Sequence, residues 1–174
     1  METVVAALIV LTLLLFGGLM LAQQYLLSQE SMILTWQTME ARLETRAQTD
    51  LATVGAETRS SGAIIEMTLR NDGQTKLADF EHWDLIVEYQ STTGTHIEWL
   101  PYTAGAPTNN EWSVSGIYVD AAALTPEAYD PDILNPGEEM VLRARVLPVV
   151  QAGSVNRVMV RSTNGIGATA IFIR

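Results

Sequence analysis

The chain contains no cysteine, which excludes a disulfide framework, a thiolate metal site and a cysteine nucleophile, and leaves redox compartment unread. Lysine occurs once, at Lys76, and with nine arginines it faces twenty acidic residues, giving a formal net charge of -10. Such a surface repels phosphates, so nucleic acid is set aside as a partner. Histidine occurs only at His82 and His96, and the absence of an Asn-x-Ser/Thr sequon means that N-glycosylation at that signal is not expected. No charged residue lies between Glu2 and Glu30, no basic residue precedes Arg42, and no proline precedes Pro101.

The uncharged N-terminal region holds a continuous apolar run over residues 3–22, TVVAALIVLTLLLFGGLMLA. About 20 apolar residues in a helix span a bilayer core. A cytoplasmic N-terminus normally carries Lys or Arg beside the first apolar segment, and Met1 and Glu2 offer neither. The run is too long and continuous for a cleaved secretory signal. The simpler expectation is a short basic leader removed ahead of Met1. The bland alternative keeps Met1 as initiator and the helix as a plain membrane anchor.

Beyond Ala22 the pattern becomes amphipathic, with Trp36, Met39, Leu43, Ala47, Leu51 and Val54 three or four residues apart on one face. Gln37, Glu40, Arg42, Glu44, Arg46, Gln48 and Asp50 occupy the other. The first stop signals after Gly18 are Gly55 and Ser60-Ser61-Gly62, so the pattern predicts one helical segment over residues 1–58, apolar at 3–22 and amphipathic at 23–55. At about 50 residues such a helix is about 80 Å long. Gly17 and Gly18 weaken its interior, at about 1 kcal/mol each, or permit close helix packing.

From Gly62 onward the period switches from helical to alternating. Strands are predicted over residues 65–70, 83–89, 96–100, 112–114, 116–119, 140–146, 157–161 and 168–173, with turns at Asn71-Asp72-Gly73, Thr92-Thr93-Gly94-Thr95, Asn135-Pro136-Gly137-Glu138 and Ser162-Thr163-Asn164-Gly165. Residues 102–111 and 120–139 read as exposed loops. The fold class is therefore α+β: a long hydrophobic helix followed by an antiparallel, immunoglobulin-like β-sandwich head over residues 62–174.

Candidate chemistry is sparse. His82-Trp83-Asp84 would place a histidine and a carboxylate on one strand face, but no nucleophile elbow, glycine-rich phosphate loop or His-x-x-x-His spacing accompanies it. Gly165-Ile166-Gly167 lacks the third glycine of a dinucleotide loop and reads as a hairpin connection. Asp120, Glu127, Asp130, Asp132, Glu138 and Glu139 supply oxygens of the kind Ca²⁺ takes, yet without EF-hand spacing and with Pro126, Pro131 and Pro136 interposed. A solvated acidic loop is the default reading, no catalytic, cofactor or metal residue is assigned, and Trp83, Trp99 and Trp112 read as sandwich core or subunit interface.

An apolar helix continuing into an amphipathic stripe and a β-sandwich resembles type IV pilin-like subunits, and more specifically archaellins. The sharper parts of the resemblance are Asn71-Asp72-Gly73-Gln74-Thr75-Lys76-Leu77 leading to Phe80 and Trp83-Asp84-Leu85-Ile86-Val87, then Leu134-Asn135-Pro136-Gly137-Glu138 and Ser162-Thr163-Asn164-Gly165. These are also similar to patterns of the accessory archaellum proteins that carry one helix and a β-sandwich. Val5 stands where bacterial type IV pilins typically have glutamate, which favours the archaellin side. The resemblance implies a precursor cut by a prepilin-type peptidase, transient membrane insertion, and assembly by dedicated machinery into an extracellular helical filament of identical subunits, with no cofactor and no enzymatic activity. The expected filament-core residues are Val4, Val5, Leu8, Leu11, Leu14, Leu15, Gly17, Gly18, Leu21 and Leu26, and the residues expected to seat the head are Trp36, Met39, Leu43, Ala47, Leu51 and Val54. The competing expectations are an accessory anchored protein of the same machinery, and a membrane-tethered enzyme or ligand-binding domain.

Overall fold

The structure, a computed structural model, describes residues 2–127 and 129–174. The expectation about Met1 concerns a residue outside these. The chain divides into two compact units, the first ending at Glu44 and the second being Thr45–Arg174.

The first element is a single helix, α1, Glu2–Ala47, 46 residues that run through Gly17 and Gly18 without interruption. At 1.5 Å per residue it is about 69 Å long. Its scattered hydroxyls fold back onto the preceding turn: Thr12 donates to the Leu8 carbonyl at 2.8 Å and Thr35 to that of Ser31 at 2.8 Å. Arg46 in the last turn complements the negative end of the helix dipole.

The helix stops short of the expected boundary. Leu51 and Val54 do not extend its stripe; they lie in strand β1, Leu51–Arg59, where Leu51 is buried in the sandwich core and Val54 is exposed. Of the six residues of the expected stripe, Trp36, Met39, Leu43 and Ala47 alone lie on the helix. Thr53 and Val54 are β-branched and favour the pleated surface, and β1 finds a partner in β2, Ile64–Asn71, which no helical extension could satisfy.

The head is a two-layer antiparallel sandwich. Besides β1 and β2, its strands are β3 (Asp84–Ser91), β4 (Gly94–Leu100), β5 (Glu111–Asp120), β6 (Thr125–Pro126), β7 (Glu139–Arg145), β8 (Val155–Arg161) and β9 (Gly167–Ile173). One sheet has the order β1-β2-β7-β5-β6 and the other β4-β3-β8-β9. Strict alternation sends Ile65, Met67 and Leu69 of β2 inward to meet Leu85 and Val87 of β3, with Trp83, Trp112, Leu134 and Met140 filling the layer between. Tyr102 packs edge-on against Trp112, with ring centroids 5.0 Å apart. Of the three head tryptophans, Trp83 and Trp112 are core and Trp99 is exposed. The two short strands expected around Ser115 are one strand, β5, with a bulge between Val114 and Gly116; a Cβ at Gly116 would come within 2.6 Å of the Tyr118 hydroxyl.

The outer face of the five-stranded sheet carries an ion cluster. Glu66 accepts from Arg143 Nε at 2.9 Å and from Arg59 Nε at 3.1 Å. Burial pushes the Glu66 carboxyl up, but the hydrogen bonds and charges of Arg143 and Arg59 outweigh it and hold the group below its ordinary 4.5. Its stabilising contribution is therefore full above pH 4.5 and is lost as pH falls through the lower folded value. In urea titrations across pH 2–6, Glu66→Gln is expected to be less stable than the parent near neutrality and to show a shallower acid limb; an unchanged limb would show that the cluster does not titrate with folding.

Candidate assembly surface and neck

Along α1 the side chains at Leu11, Leu14, Gly18, Leu21, Tyr25, Met32, Trp36, Met39, Leu43 and Ala47 follow steps of three and four, with one step of seven across Ser28 and Gln29. At 100° per residue these positions fall on one face, a seam of coiled-coil type running most of the helix. Towards the N-terminus the seam broadens until the rod is apolar all round: Val4, Leu8, Leu15 and Leu26 flank it, with Val5, Ile9, Leu13, Phe16 and Leu19 on the remaining sides. These side chains are exposed, Leu14 at 68% and Trp36 also at 68%. The stretch Thr3–Ala47 is long and apolar enough, by length and composition, to cross a membrane.

The neck, residues 48–50, is where two of the three turn motifs converge, at residues 72–75 and at Asn164. The amides of Asp72 and Gly73 donate to the Asp50 carbonyl at 3.0 and 3.2 Å, and those of Gln74 and Thr75 donate to the Gln48 carbonyl at 2.7 and 3.3 Å. Gly73 is required by this approach, because a Cβ there would meet the Asp50 nitrogen and the Gln48 oxygen at 2.5 Å. From the other side Asn164 Nδ2 donates to the Thr49 hydroxyl at 2.6 Å, and Thr49 is buried.

Asn71, fully buried, ties the neck to the third motif. Its Nδ2 donates to the carbonyls of Thr75 at 2.8 Å and Leu134 at 3.0 Å, while its Oδ1 accepts from the Gly73 amide at 3.1 Å. Its backbone pairs with the Asn135-Pro136-Gly137-Glu138 turn: the Gly137 amide donates to the Asn71 carbonyl at 2.7 Å, and the Asn71 amide to that of Glu138 at 3.0 Å. Nothing in the local pattern of any one motif announces this meeting.

The candidate chemistry resolves into structural roles. His82 lies in a 3-10 turn, Phe80–His82, rather than on a strand; its nearest carboxylate is Glu81 at 3.6 Å, while Asp84 accepts from Trp99 Nε1 at 2.9 Å. A grouping missed in the sequence is Ser91, His96 and Glu98, with Ser91 Oγ 2.9 Å from His96 Nε2 and His96 Nδ1 3.5 Å from Glu98. The order is that of a nucleophile, base and carboxylate. Yet Ser91 is buried, its hydroxyl accepts from the Thr93 amide at 3.0 Å, and it lies 3.3 Å from the Gly94 carbonyl, so the group caps the β3–β4 turn. In the acidic loop Asp130 pairs with Lys76 at 2.5 Å, Glu139 accepts from the Ala121 amide at 2.9 Å and Glu138 accepts from that of Asn135 at 2.9 Å. Among the described residues no three His, Asp or Glu side chains gather to hold a metal.

No known family model matches the chain, and no curated protein sequence does. Solved structures do. The archaellum periplasmic stator protein FlaG from Sulfolobus acidocaldarius aligns with a TM-score of 0.53 at 15% identity, over 71% of this chain and 99% of that one. The archaeal flagellum of Methanospirillum hungatei strain JF1 aligns with a TM-score of 0.50 at 14% identity, over 99% of this chain and 90% of that one. This is the fold of archaellum components. The FlaF and FlaG stator complex of Sulfolobus acidocaldarius shares it too, with a TM-score of 0.51 at 16% identity over 70% of this chain and 87% of that one. The alignment over 99% of the chain takes in α1 as well as the sandwich, so the archaellum-type likeness extends to the helix-plus-head layout.

Proposed function

We propose that the chain is a structural, non-enzymatic subunit of an extracellular archaellum-type helical filament, serving motility. Copies are inserted in the membrane, released from a leader by a prepilin-type peptidase, and polymerised by assembly machinery through α1. The observation that carries this reading is the length of the seam. About 20 helical residues satisfy a bilayer core, yet Tyr25, Met32, Trp36, Met39 and Leu43 prolong the apolar face well beyond them. An anchor has no use for a second stretch of apolar seam, whereas a bundle of like helices covers it throughout. A heterologous contact that does not close generates an open helical filament, with the acidic heads outward to keep it soluble.

Electron microscopy of sheared cell-surface material, with mass spectrometry of its main band, tests the reading. Filaments made chiefly of this chain, starting at a processed N-terminus, are expected. A chain retained in the membrane fraction, with filaments made of another protein, would favour the second reading, an accessory envelope-binding protein, to which the likeness to the FlaG stator protein lends weight.

A further inference from the structure

The outer face of the four-stranded sheet is apolar where a solvated sheet should be polar. Strand β4 turns its polar His96 and Glu98 towards the interior and presents Ile97 and Trp99 outward, 70% and 58% exposed. Strand β9 does the same with Ile171 and Ile173, at 71% and 66%. Between them β3 and β8 expose a balanced set of charges, Asp84 and Glu88 against Arg157 and Arg161, in a chain whose net charge is -10.

The register sorts these residues into rows across the sheet. One row reads Trp99, Ile86, Met159, Thr169; the next reads Ile97, Glu88, Arg157, Ile171; Asp84 and Arg161 pair at the end beside Gly167. A two-fold axis lying along the strands between β3 and β8 exchanges β3 with β8 and β4 with β9 while keeping each row in place. Under that operation every charge meets its opposite. Glu88 faces Arg157 of a second copy, Asp84 faces Arg161, and Ile97 faces Ile171. Trp99 comes down on a groove of about 400 Å³ bordered by Met159, Gly167 and Thr169, where the glycine leaves room.

We propose that this face is a self-complementary contact through which two heads of this chain pair, independently of α1. A lipid surface would select basic excess, and this face has none; an unrelated partner would not require the charges to match under exchange of the strands. Within each head Arg157 already lies 2.5 Å from Glu88, and Trp99 Nε1 donates to Asp84 at 2.9 Å. Pairing turns each two-member contact into a four-member network screened from water, and complementary charge fixes the register.

Because the chain has no cysteine, introduced cysteines report without background. The test uses the full chain in nonionic detergent carrying Ile97→Cys together with Ile171→Cys, under mild oxidation. Within one copy these positions are separated by β3 and β8, about 14 Å apart, beyond the span of a disulfide. The expected product is a covalent dimer and nothing larger, with each single variant staying monomeric. Adding Glu88→Arg is expected to cut dimer yield about tenfold, and adding Arg157→Glu to that variant to restore it. Unchanged near-UV circular dichroism confirms that these surface variants fold. In a Leu14→Asp background the yield is expected to persist, which separates this contact from helix bundling. A monomeric double variant, a ladder of trimers and higher species, loss of the dimer with Leu14→Asp, or capture of the Ile97→Cys position by Trp36→Cys on α1 would each overturn the proposal.

Discussion

Replacing Leu14 with Asp is expected to abolish filaments while leaving the head folded. Leu14 lies mid-way along the all-round apolar part of α1 and on the long seam. An aspartate at the centre of an apolar span costs about 3 kcal/mol, which weakens each subunit's addition by more than about 100-fold. Every subunit of a polymer bears that cost, so the loss of filaments is cooperative. The head should not register the change, because its core is built from Leu51 onward. Met32→Asp separates the two readings. Met32 lies on the seam beyond the residues a bilayer core needs, and Met32→Asp leaves an anchor intact while placing a charge inside a helical bundle. A filament subunit therefore loses assembly with either variant, measured as polymer pelleted from sheared material. An anchored accessory protein tolerates Met32→Asp and stays in the membrane fraction. Normal filaments with Leu14→Asp would sink the core-bundle proposal.

The different legibility of helix, strands and neck has physical causes. The strands from β2 onward were readable because a half-buried sheet imposes a period of two, and Ile65 to Arg70 or Val158 to Arg161 obey it between strong turn residues. Strand β1 was misread because Leu43, Ala47, Leu51 and Val54 continue the helical spacing in the sequence, with neither glycine nor proline between Ala47 and Leu51. What ends the helix is non-local: the carbonyls of Gln48 and Asp50 are claimed by amides at residues 72–75. Likewise β5 looked like two strands because Ser115-Gly116 imitates a turn, whereas the glycine accommodates the Tyr118 ring at a bulge. On β4 the period of two does not by itself give the sense. Apolar parity alone would send Ile97 and Trp99 inward, and the sandwich sends them out.

Asn71→Ala is expected to cost the head about 3–5 kcal/mol, a large share of the 5–15 kcal/mol that holds a typical domain. The reason is its position rather than its volume. One amide makes three hydrogen bonds at a fully buried point, so its removal takes the Asn71 partner from the Thr75 carbonyl and leaves the Leu134 carbonyl with the Leu77 amide alone and the Gly73 amide with the Asp50 carbonyl alone. A lost hydrogen bond costs about 0.5–1.5 kcal/mol and a buried group left unpaired about 1–3 kcal/mol, and three such losses fall together here. Asn71→Asp isolates the cause: it keeps the acceptor for Gly73 and nearly the same volume, but turns an oxygen towards two carbonyl oxygens. It should be at least as damaging as alanine, measured by urea unfolding followed through the fluorescence of the buried Trp83 and Trp112. Because residues 72–75 also hold the neck, both variants should speed tryptic cleavage after Arg46 under native conditions. A mild Asn71→Asp phenotype beside a severe Asn71→Ala one would assign the site to packing. Slow cleavage in both variants would show that the neck is held without Asn71, leaving the hydrogen bonds of Asn164 to Thr49 and of the 72–75 amides as its fastening.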